Sequence, residues 1–450
     1  MADADPLSPA SDAAAVTPIP NGRMALLFVV MLVTAAGNTA MQSVMPSIGT
    51  ALEVEDFWIS LAYSWSALLW VVCAPIWARR SDRRGRKSMM ALGLIGFIMS
   101  MALCGAVLWA GLAGWLGALT TLIVFAAARS LYGLFGSAAP PAVQAYVASR
   151  TPRSQRTQSL SLIASSFGLG TVIGPALAPL MVLPFLGLGL VGPFLCFAGL
   201  GLAALIVLRL RLPDDEPRFA ARGRVQPYAS GTGGAPDDPS DAEEDSTPEP
   251  PSTHLKWFEP RLRPWVIAAL VGGHAQAMVL GISGFLVLDR LGLRGSPAEG
   301  AGPVGIVLMC GAIATLLAQW GLIPRFNLGP RSATLSGILT AGLGTAVLGA
   351  AGDLHTIALG YAIAALGFGL FRPGTTSGTS LAVTRAEQGQ ASGITASVAG
   401  ASFIYAPAVG VWLYNFDARL AFGLIIALCL CVAVIGWRGL ASDTEMTREQ

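Results

Sequence analysis

Long apolar runs recur along the chain, separated by short stretches in which charge, proline or glycine gathers. They occupy residues 24–49, 57–78, 89–110, 119–148, 157–181 and 185–208, then 264–289, 299–322, 332–350, 354–381, 389–414 and 417–437. About 20 apolar residues in a helix cross the hydrocarbon core of a bilayer. Inside lipid every backbone N–H and C=O must find its partner within the span, which selects helix over irregular chain. The pattern therefore predicts an all-α membrane protein with 12 transmembrane helices. Residues 209–263 divide the runs into two sets of six. The predicted organisation is a tail over 1–23, an N-terminal six-helix bundle over 24–208, a linker over 209–263, a C-terminal six-helix bundle over 264–437 and a tail over 438–450.

Composition agrees with lipid as the solvent. Charged residues make up 12% of the chain and hydrophobic ones 54%, with a mean hydropathy of +0.62; a soluble globular chain carries about 25% charged residues. The distribution of the 28 Lys and Arg predicts the orientation. Arg79, Arg80, Arg83, Arg84, Arg86 and Lys87 crowd one turn, and the other breaks on that face carry most of the rest. The opposite face holds Arg290, Arg294 and Arg419. By the positive-inside bias the Arg-rich face is cytoplasmic, which puts both termini there and agrees with an even number of spans. The expected location is a bacterial inner membrane. Residues 1–23 lack the basic start of a signal peptide, and the apolar run after them is too long for one, so a disordered cytoplasmic tail is expected.

From Ser230 to Thr253 the linker has seven carboxylates and no Lys or Arg among many Pro, Gly and Ser. Such a segment buries too little apolar area to fold and serves either as a tether or as a docking site. The six cysteines fall inside apolar runs without metal-ligand spacing and read as small core residues. No metal-ligand cluster, nucleophile–base pair or phosphate loop is evident, so neither an enzyme nor a cofactor is expected.

The two sets of runs echo each other. Gly133-Leu134-Phe135 leads through a polar loop to Pro175, and Gly369-Leu370-Phe371 leads likewise to Pro407, as in transporters built from repeated halves. The turn after the second run reads Ala78-Arg79-Arg80-Ser81-Asp82-Arg83-Arg84-Gly85-Arg86-Lys87. Gly85 permits a tight turn, and Asp82 is the single carboxylate among six basic residues. The cluster acts either as a latch that closes this face in one state or as a topology signal binding anionic headgroups. Arg129 lies mid-span, so it faces the bundle interior or a wet cavity. The fifth run, Gly168 to Pro179, is rich in small residues that let helices approach closely.

These stretches resemble the major facilitator superfamily. The turn is similar to the signature G-x-x-x-D-R-x-G-R-[RK], matched at Asp82, Arg83, Gly85, Arg86 and Lys87, with Ala78 in place of the first glycine. Arg129 to Gly133 resembles the fourth-span motif of facilitator antiporters, whose Arg is implicated in proton transfer. Gly170, Gly174 and Pro175 match the fifth-span motif G-x(3)-G-P-x(2)-G-G, which is associated with export, although Ala178-Pro179 stands where the closing glycines would be. Gly369 to Tyr414, with Gln388-Gly389-Gln390 and Pro407, looks like spans 10 and 11 of tetracycline-type antiporters. The resemblance implies two pseudo-symmetric six-helix bundles and alternating-access export of hydrophobic or amphipathic drugs by proton antiport. The partners it implies are a small-molecule substrate, a proton and the lipid bilayer, with no nucleic acid, and the protein is expected to be monomeric.

Two positions depart from that pattern. Asn38 stands where many proton-coupled drug exporters have an acidic residue, and Ser149 where an aspartate often partners the basic latch. None of the 26 Asp and Glu lies deep in a run; Asp289, at the end of the seventh, comes nearest. The interior instead holds Arg129, Arg372, His274, Asn38, Gln42, Gln144, Gln276 and Gln319. His274 titrates near neutrality when unperturbed and serves either in coupling or as a hydrogen-bonded structural residue. Arg372 precedes Pro373-Gly374, an expected helix break, and either caps freed carbonyls or joins Arg129 in holding an organic anion at the midplane. The aromatics Trp58, Tyr63, Trp65, Trp70, Tyr132, Tyr361 and Tyr405 either line a drug cavity or, as expected for most, anchor and pack helices.

Overall fold

A computed structural model describes residues 19–151, 153–183, 188–213, 259–383 and 388–444. The first half of the chain forms α1 (Asn21–Ala51), α2 (Asp56–Arg84), α3 (Arg86–Leu112), α4 (Ala118–Leu134), α5 (Ala139–Arg150), α6 (Arg153–Leu177) and α7 (Gly192–Arg211). The second forms α8 (Arg263–Arg290), α9 (Pro297–Leu316), α10 (Ile323–Phe326), α11 (Pro330–Ala350), α12 (Leu354–Leu381), α13 (Gln388–Phe416) and α14 (Ala418–Gly439). Among the described residues the only β pairing is an isolated Leu183–Gly189 bridge. The fold is all-α, and its helices correspond to the twelve apolar runs. The acidic stretch 230–253 and most of both tails lie outside the described residues.

Among the described residues, eleven helical stretches are long and apolar enough to cross a membrane, with α4–α5 and α9–α10 each continuing one span. The remaining one, α6, is polar in its first turns and apolar over 169–181. Three runs differ locally from the continuous helices expected of them. The fourth is interrupted by a 3₁₀ turn, Gly136–Ala138, before Ala139-Pro140-Pro141 restarts the helix; prolines have no N–H to bond the preceding turn and fit a helix start instead. The eighth widens into a π turn over Leu317–Leu322, with the Ile323 N–H bonding the Ala318 carbonyl five residues back, just ahead of Pro324. The sixth helix starts at Gly192, not 185, with Pro193 in its first turn.

The echo between the halves is repeated in the packing. α4 and α12 bring their glycines against the second span of their own half. A Cβ on Gly133 would lie 2.5 Å from the Ser66 carbonyl of α2, and one on Gly369 would lie 3.0 Å from Thr315 Cα of α9. In the first half α1 packs on α6 and α7, and α3 on α4 and α7; in the second α8 packs on α13, and α11 on α12 and α14. Phe97, Phe125, Phe194 and Phe197 fill the first half, Phe368 and Phe371 the second. Across the halves α1 and α6 meet α9, and α2 meets α13.

Side chains cap some of the helix ends. Asp353 caps α12 by accepting from the His355 and Thr356 N–H groups. The Thr356 hydroxyl and amide hold its carboxyl below the ordinary aspartate value. At the opposite face Asp443 accepts from Arg331 N at 2.7 Å and Ser332 N at 3.1 Å, so the segment after α14 caps α11. These are the orphan donors every helix N-terminus presents.

Candidate functional site

A cavity of about 490 Å³ lies between the two halves. Asn38 and Gln42 of α1, Tyr63 and Trp70 of α2, and Arg129 and Tyr132 of α4 line it from one side. Phe285 of α8, Leu308 of α9, Arg372 of α12 and Phe403 and Pro407 of α13 line it from the other. Among the described residues no carboxylate contributes to the wall, which combines aromatic faces, small polar groups and two guanidinium groups.

Arg129 is 3% exposed. Its Nη2 donates to Asn38 Oδ1, and its Cζ lies 4.6 Å from the Tyr132 ring centroid and 5.4 Å from that of Tyr63. Cation–π attraction from two rings replaces part of the hydration that burial removes. Its Nε and Nη1, and the Tyr63 hydroxyl, are buried without a hydrogen-bond partner among the described residues. Because Asn38 is neutral, the pairing leaves the Arg129 charge uncancelled.

Arg372 faces the same space from the second half. The break expected beside it does not occur: α12 runs unbroken through Pro373. The cause is tertiary. α11 and α12 press backbone to backbone on either side of the proline, so that a Cβ on Gly337 would lie 2.5 Å from Phe371 N, and one on Gly374 2.7 Å from Thr334 N. The Thr375 and Thr376 hydroxyls donate to the Arg372 carbonyl at 3.0 and 2.9 Å.

His274 and Gln276 are not among the residues lining the cavity. His274 Nδ1 sits 2.6 Å from the Leu270 carbonyl and therefore carries a proton, while Nε2 accepts from the Tyr405 hydroxyl. Tyr405 is exposed, so this pair occupies an outward seam between α8 and α13. Trp58 and Trp65 are exposed as well, whereas Tyr361 is buried among helices.

The fifth-span glycines sit where helices touch. A Cβ on Gly170 would come within 2.7 Å of the Leu32 carbonyl and one on Gly174 within 2.2 Å of that of Ala36, both on α1. The Thr39 hydroxyl donates to the Gly170 carbonyl at 3.3 Å. On the other side of α6 the Pro175 carbonyl would lie 2.7 Å from a Cβ on Gly305 of α9, which joins the motif to the second half. Pro407 of α13 packs against Gly281 of α8, a contact within the second half.

In the Arg-rich turn, Gly85 adopts φ 87° between α2 and α3. Arg86 and Lys87 follow it, buried and engaged in the first turn of α3. The side chains of Asp82, Arg83 and Ser149 lie outside the described residues, and with them the latch expected there.

At the opposite face an ion cluster joins the halves, and it had no signature in the sequence. Arg294, just ahead of α9, donates from Nη1 to Asp56 Oδ1 at 2.8 Å and from Nη2 to Asp56 Oδ2 at 2.7 Å, across 238 residues of chain. Its Nε donates to Asp289 at 2.7 Å, and Nη1 also reaches the Thr50 hydroxyl at 3.1 Å. The Tyr414 hydroxyl donates to the other Asp289 oxygen at 2.8 Å. Burial alone would lower the Arg294 pKa; the hydrogen bonds and charges of Asp56 and Asp289 outweigh it and hold the guanidinium above the ordinary arginine value. Asp56 opens α2 with its side chain almost wholly buried, so this carboxylate depends on its fork-shaped partner. Among the described residues no group of His, Cys, Asp and Glu gathers as a metal site.

Comparison with known proteins agrees with this architecture. The chain is 32% identical over 163 residues to the multi-drug resistance efflux pump PmrA homolog of Lactococcus lactis, covering 36% of each chain. It is 27% identical over 158 residues to the staphyloferrin B transporter of Staphylococcus aureus, covering 33% of this chain and 34% of that one. These matches span about a third of the length of the relatives. A bacterial homolog of the human lysosomal transporter Spinster, solved in an inward-facing and unoccupied conformation, superposes with a TM-score of 0.67 at 12% identity, over 95% of this chain and 97% of that one. Residues 27–327 match the family model described as Major Facilitator Superfamily, so the chain belongs to the Major Facilitator Superfamily.

Proposed function

We propose that the protein is a secondary transporter that exports hydrophobic or amphipathic small molecules from a bacterial cell by alternating access. The observation that carries this reading is the cavity of about 490 Å³ between the halves, with Tyr63, Trp70, Tyr132, Phe285 and Phe403 in its wall. That volume suits a drug-sized ligand, and an apolar lining with a few fixed polar groups is typical of such sites. The similarity to a multi-drug efflux pump over the matched segment supports the choice of cargo. In this reading the Arg-rich turn faces the cytoplasm of a bacterial inner membrane. The halves 24–208 and 264–437 rock as units on either side of the 209–263 linker, the turn from Asp82 to Lys87 latches the cytoplasmic face, and the monomer is the working unit. Export is driven by proton entry.

A second reading has its own observation. Arg129 and Arg372 line the cavity from opposite halves, and among the described residues no carboxylate does, a combination that would attract an organic anion. The two readings are separated by transport into everted vesicles. Growth of cells with and without the gene is first profiled against chemically diverse drugs, with and without an uncoupler. The vesicles are then tested with a cationic or neutral dye and with an aromatic carboxylate, comparing the wild type with Arg372→Ala. Dye transport that survives the substitution while the carboxylate flux falls at least tenfold supports anion transport. Drug transport abolished by the uncoupler and indifferent to Arg372 supports proton-driven export. No shift for any compound refutes the export reading.

A further inference from the structure

Arg129 is a buried cation whose hydrogen-bond and ring partners among the described residues are all neutral. It lies about 17 Å along α4 from Ala118, near the middle of the span that α4 and α5 share. Arginine keeps its charge at any biological pH, and a charge at that depth is costly unless it is paired. α1 offers it the Asn38 amide. α2 offers the Tyr63 ring and Ser66, whose hydroxyl donates to the Arg129 carbonyl at 3.2 Å, and α4 the Tyr132 ring. None of these groups cancels the charge.

Three donors in this neighbourhood have no acceptor among the described residues: Arg129 Nε, Arg129 Nη1 and the Tyr63 hydroxyl, all of them buried. The rings beside the guanidinium are themselves wedged. Tyr63 stands edge-on to Phe125 with centroids 6.4 Å apart, and Tyr132 sits between Trp70 at 5.0 Å and Phe97 at 5.9 Å. Close packing of this kind keeps the charge and its donors from swinging to a distant acceptor. Fixed donors around an uncancelled positive charge are the chemistry of an anion site.

We propose that Arg129 and Tyr63 bind one small monovalent inorganic anion, chloride in the cell, and that this ion serves Arg129 as its counterion in place of a fixed carboxylate. The ion reaches the donors from the cavity, where both residues form part of the wall. Enclosure favours a monatomic ion: the three donor atoms are covered by protein, which leaves little room for the carbon frame of an organic acid. A divalent oxyanion would overcompensate one guanidinium, and stripping its water costs more. Asn38 accounts for the need. An aspartate side chain has the same size and would set a carboxylate oxygen where Asn38 Oδ1 now accepts from Arg129 Nη2. The neutral amide leaves the charge to be met by a mobile ion. That ion is resident rather than cargo, so it is bound whether the cavity carries a neutral amphipath or an organic anion. A ligand that binds the folded chain alone also stabilises it.

The test uses the purified full chain without any cargo. Its thermal midpoint is followed in sodium chloride and in sodium gluconate at equal ionic strength. Chloride should raise the midpoint by about 3 °C or more and saturate with concentration; bromide should act likewise and sulfate should not. Chloride nuclear resonance should show line broadening by the protein that bromide displaces. Asn38→Asp supplies the counterion covalently, so it should have the raised midpoint already in gluconate, gain nothing from chloride and lose the broadening. Arg129→Gln, which keeps the outcome readable if the new carboxylate impairs folding, should lose the chloride shift and the broadening as well. Equal wild-type midpoints in chloride and gluconate overturn the inference, as does a sulfate shift as large as that of chloride. So does a chloride effect that persists unchanged in either variant, because the ion then sits elsewhere, on Arg372 or on the Arg-rich turn. Since the readout is binding, these outcomes stand whether or not any drug proves to be a cargo.

Discussion

Arg129 is held by its neighbours as much as by its own helix. α4 carries it into the interior, but the Asn38 amide from α1 and the Tyr63 and Tyr132 rings fix where its charge points. A hydrogen bond to a charged group is worth about 1.5–3 kcal/mol when its loss strands the donor. Asn38→Leu should accordingly lower the stability of purified protein by about 2 kcal/mol, read as a fall in the thermal midpoint in detergent. The double variant Asn38→Leu with Arg129→Met should recover most of that fall, because the stranded charge goes with the arginine. An Asn38→Leu midpoint equal to wild type would mean the bond contributes nothing. Each of these residues stood out in the sequence as a polar group within an apolar run. Their pairing did not, since nothing in a one-dimensional pattern says which faces of α1 and α4 meet. His274 shows the converse: its interior position was legible, but its engagement with Leu270 and Tyr405 away from the cavity depends on how α8 and α13 are rotated.

At the scale of helices, small residues decide how closely neighbours approach. Gly174 faces the Ala36 carbonyl so tightly that a Cβ would come within 2.2 Å of it. Backbone atoms cannot swing aside as a side chain does. Gly174→Val should therefore abolish accumulation of folded protein, measured as monodisperse material on size exclusion. Gly423→Val on α14, where a Cβ meets nothing within 4 Å, should accumulate like wild type. The proline-containing runs teach a related lesson. Pro140-Pro141 interrupts its run, whereas Pro373 does not, because close packing on α11 holds α12 in register. Local chemistry marks where a helix is weak, and packing determines whether it breaks. Helix ends show it too: Asp443, from beyond α14, supplies the cap of α11. Asp443→Ala should cost about 1 kcal/mol, the usual value of such a cap, again seen in the thermal midpoint.

For the whole molecule the first thing to establish is which way it faces. A cysteine introduced at Trp115 should react with a membrane-impermeant maleimide in intact cells, and one introduced at Arg84 only after permeabilisation, in a background without the native cysteines. The reverse pattern would invert the orientation and place the Arg294 cluster on the cytoplasmic side. The cavity and the cluster sit at different depths between the same two halves.

Read along the chain alone, the residues place the protein in lipid, mark roughly where each helix runs and which face carries the basic turn, and suggest an echo between the halves. Each follows from local chemistry, since a bilayer leaves a backbone no partners except its own and penalises charge residue by residue. The packed fold was needed to show that Arg129 and Arg372 look into one cavity from opposite halves, that His274 turns away from it, and that Asp56 and Arg294, 238 residues apart, meet at one face. Helix rotation and the meeting of two halves are set by the fit of whole surfaces, and no stretch of sequence contains both sides of that fit.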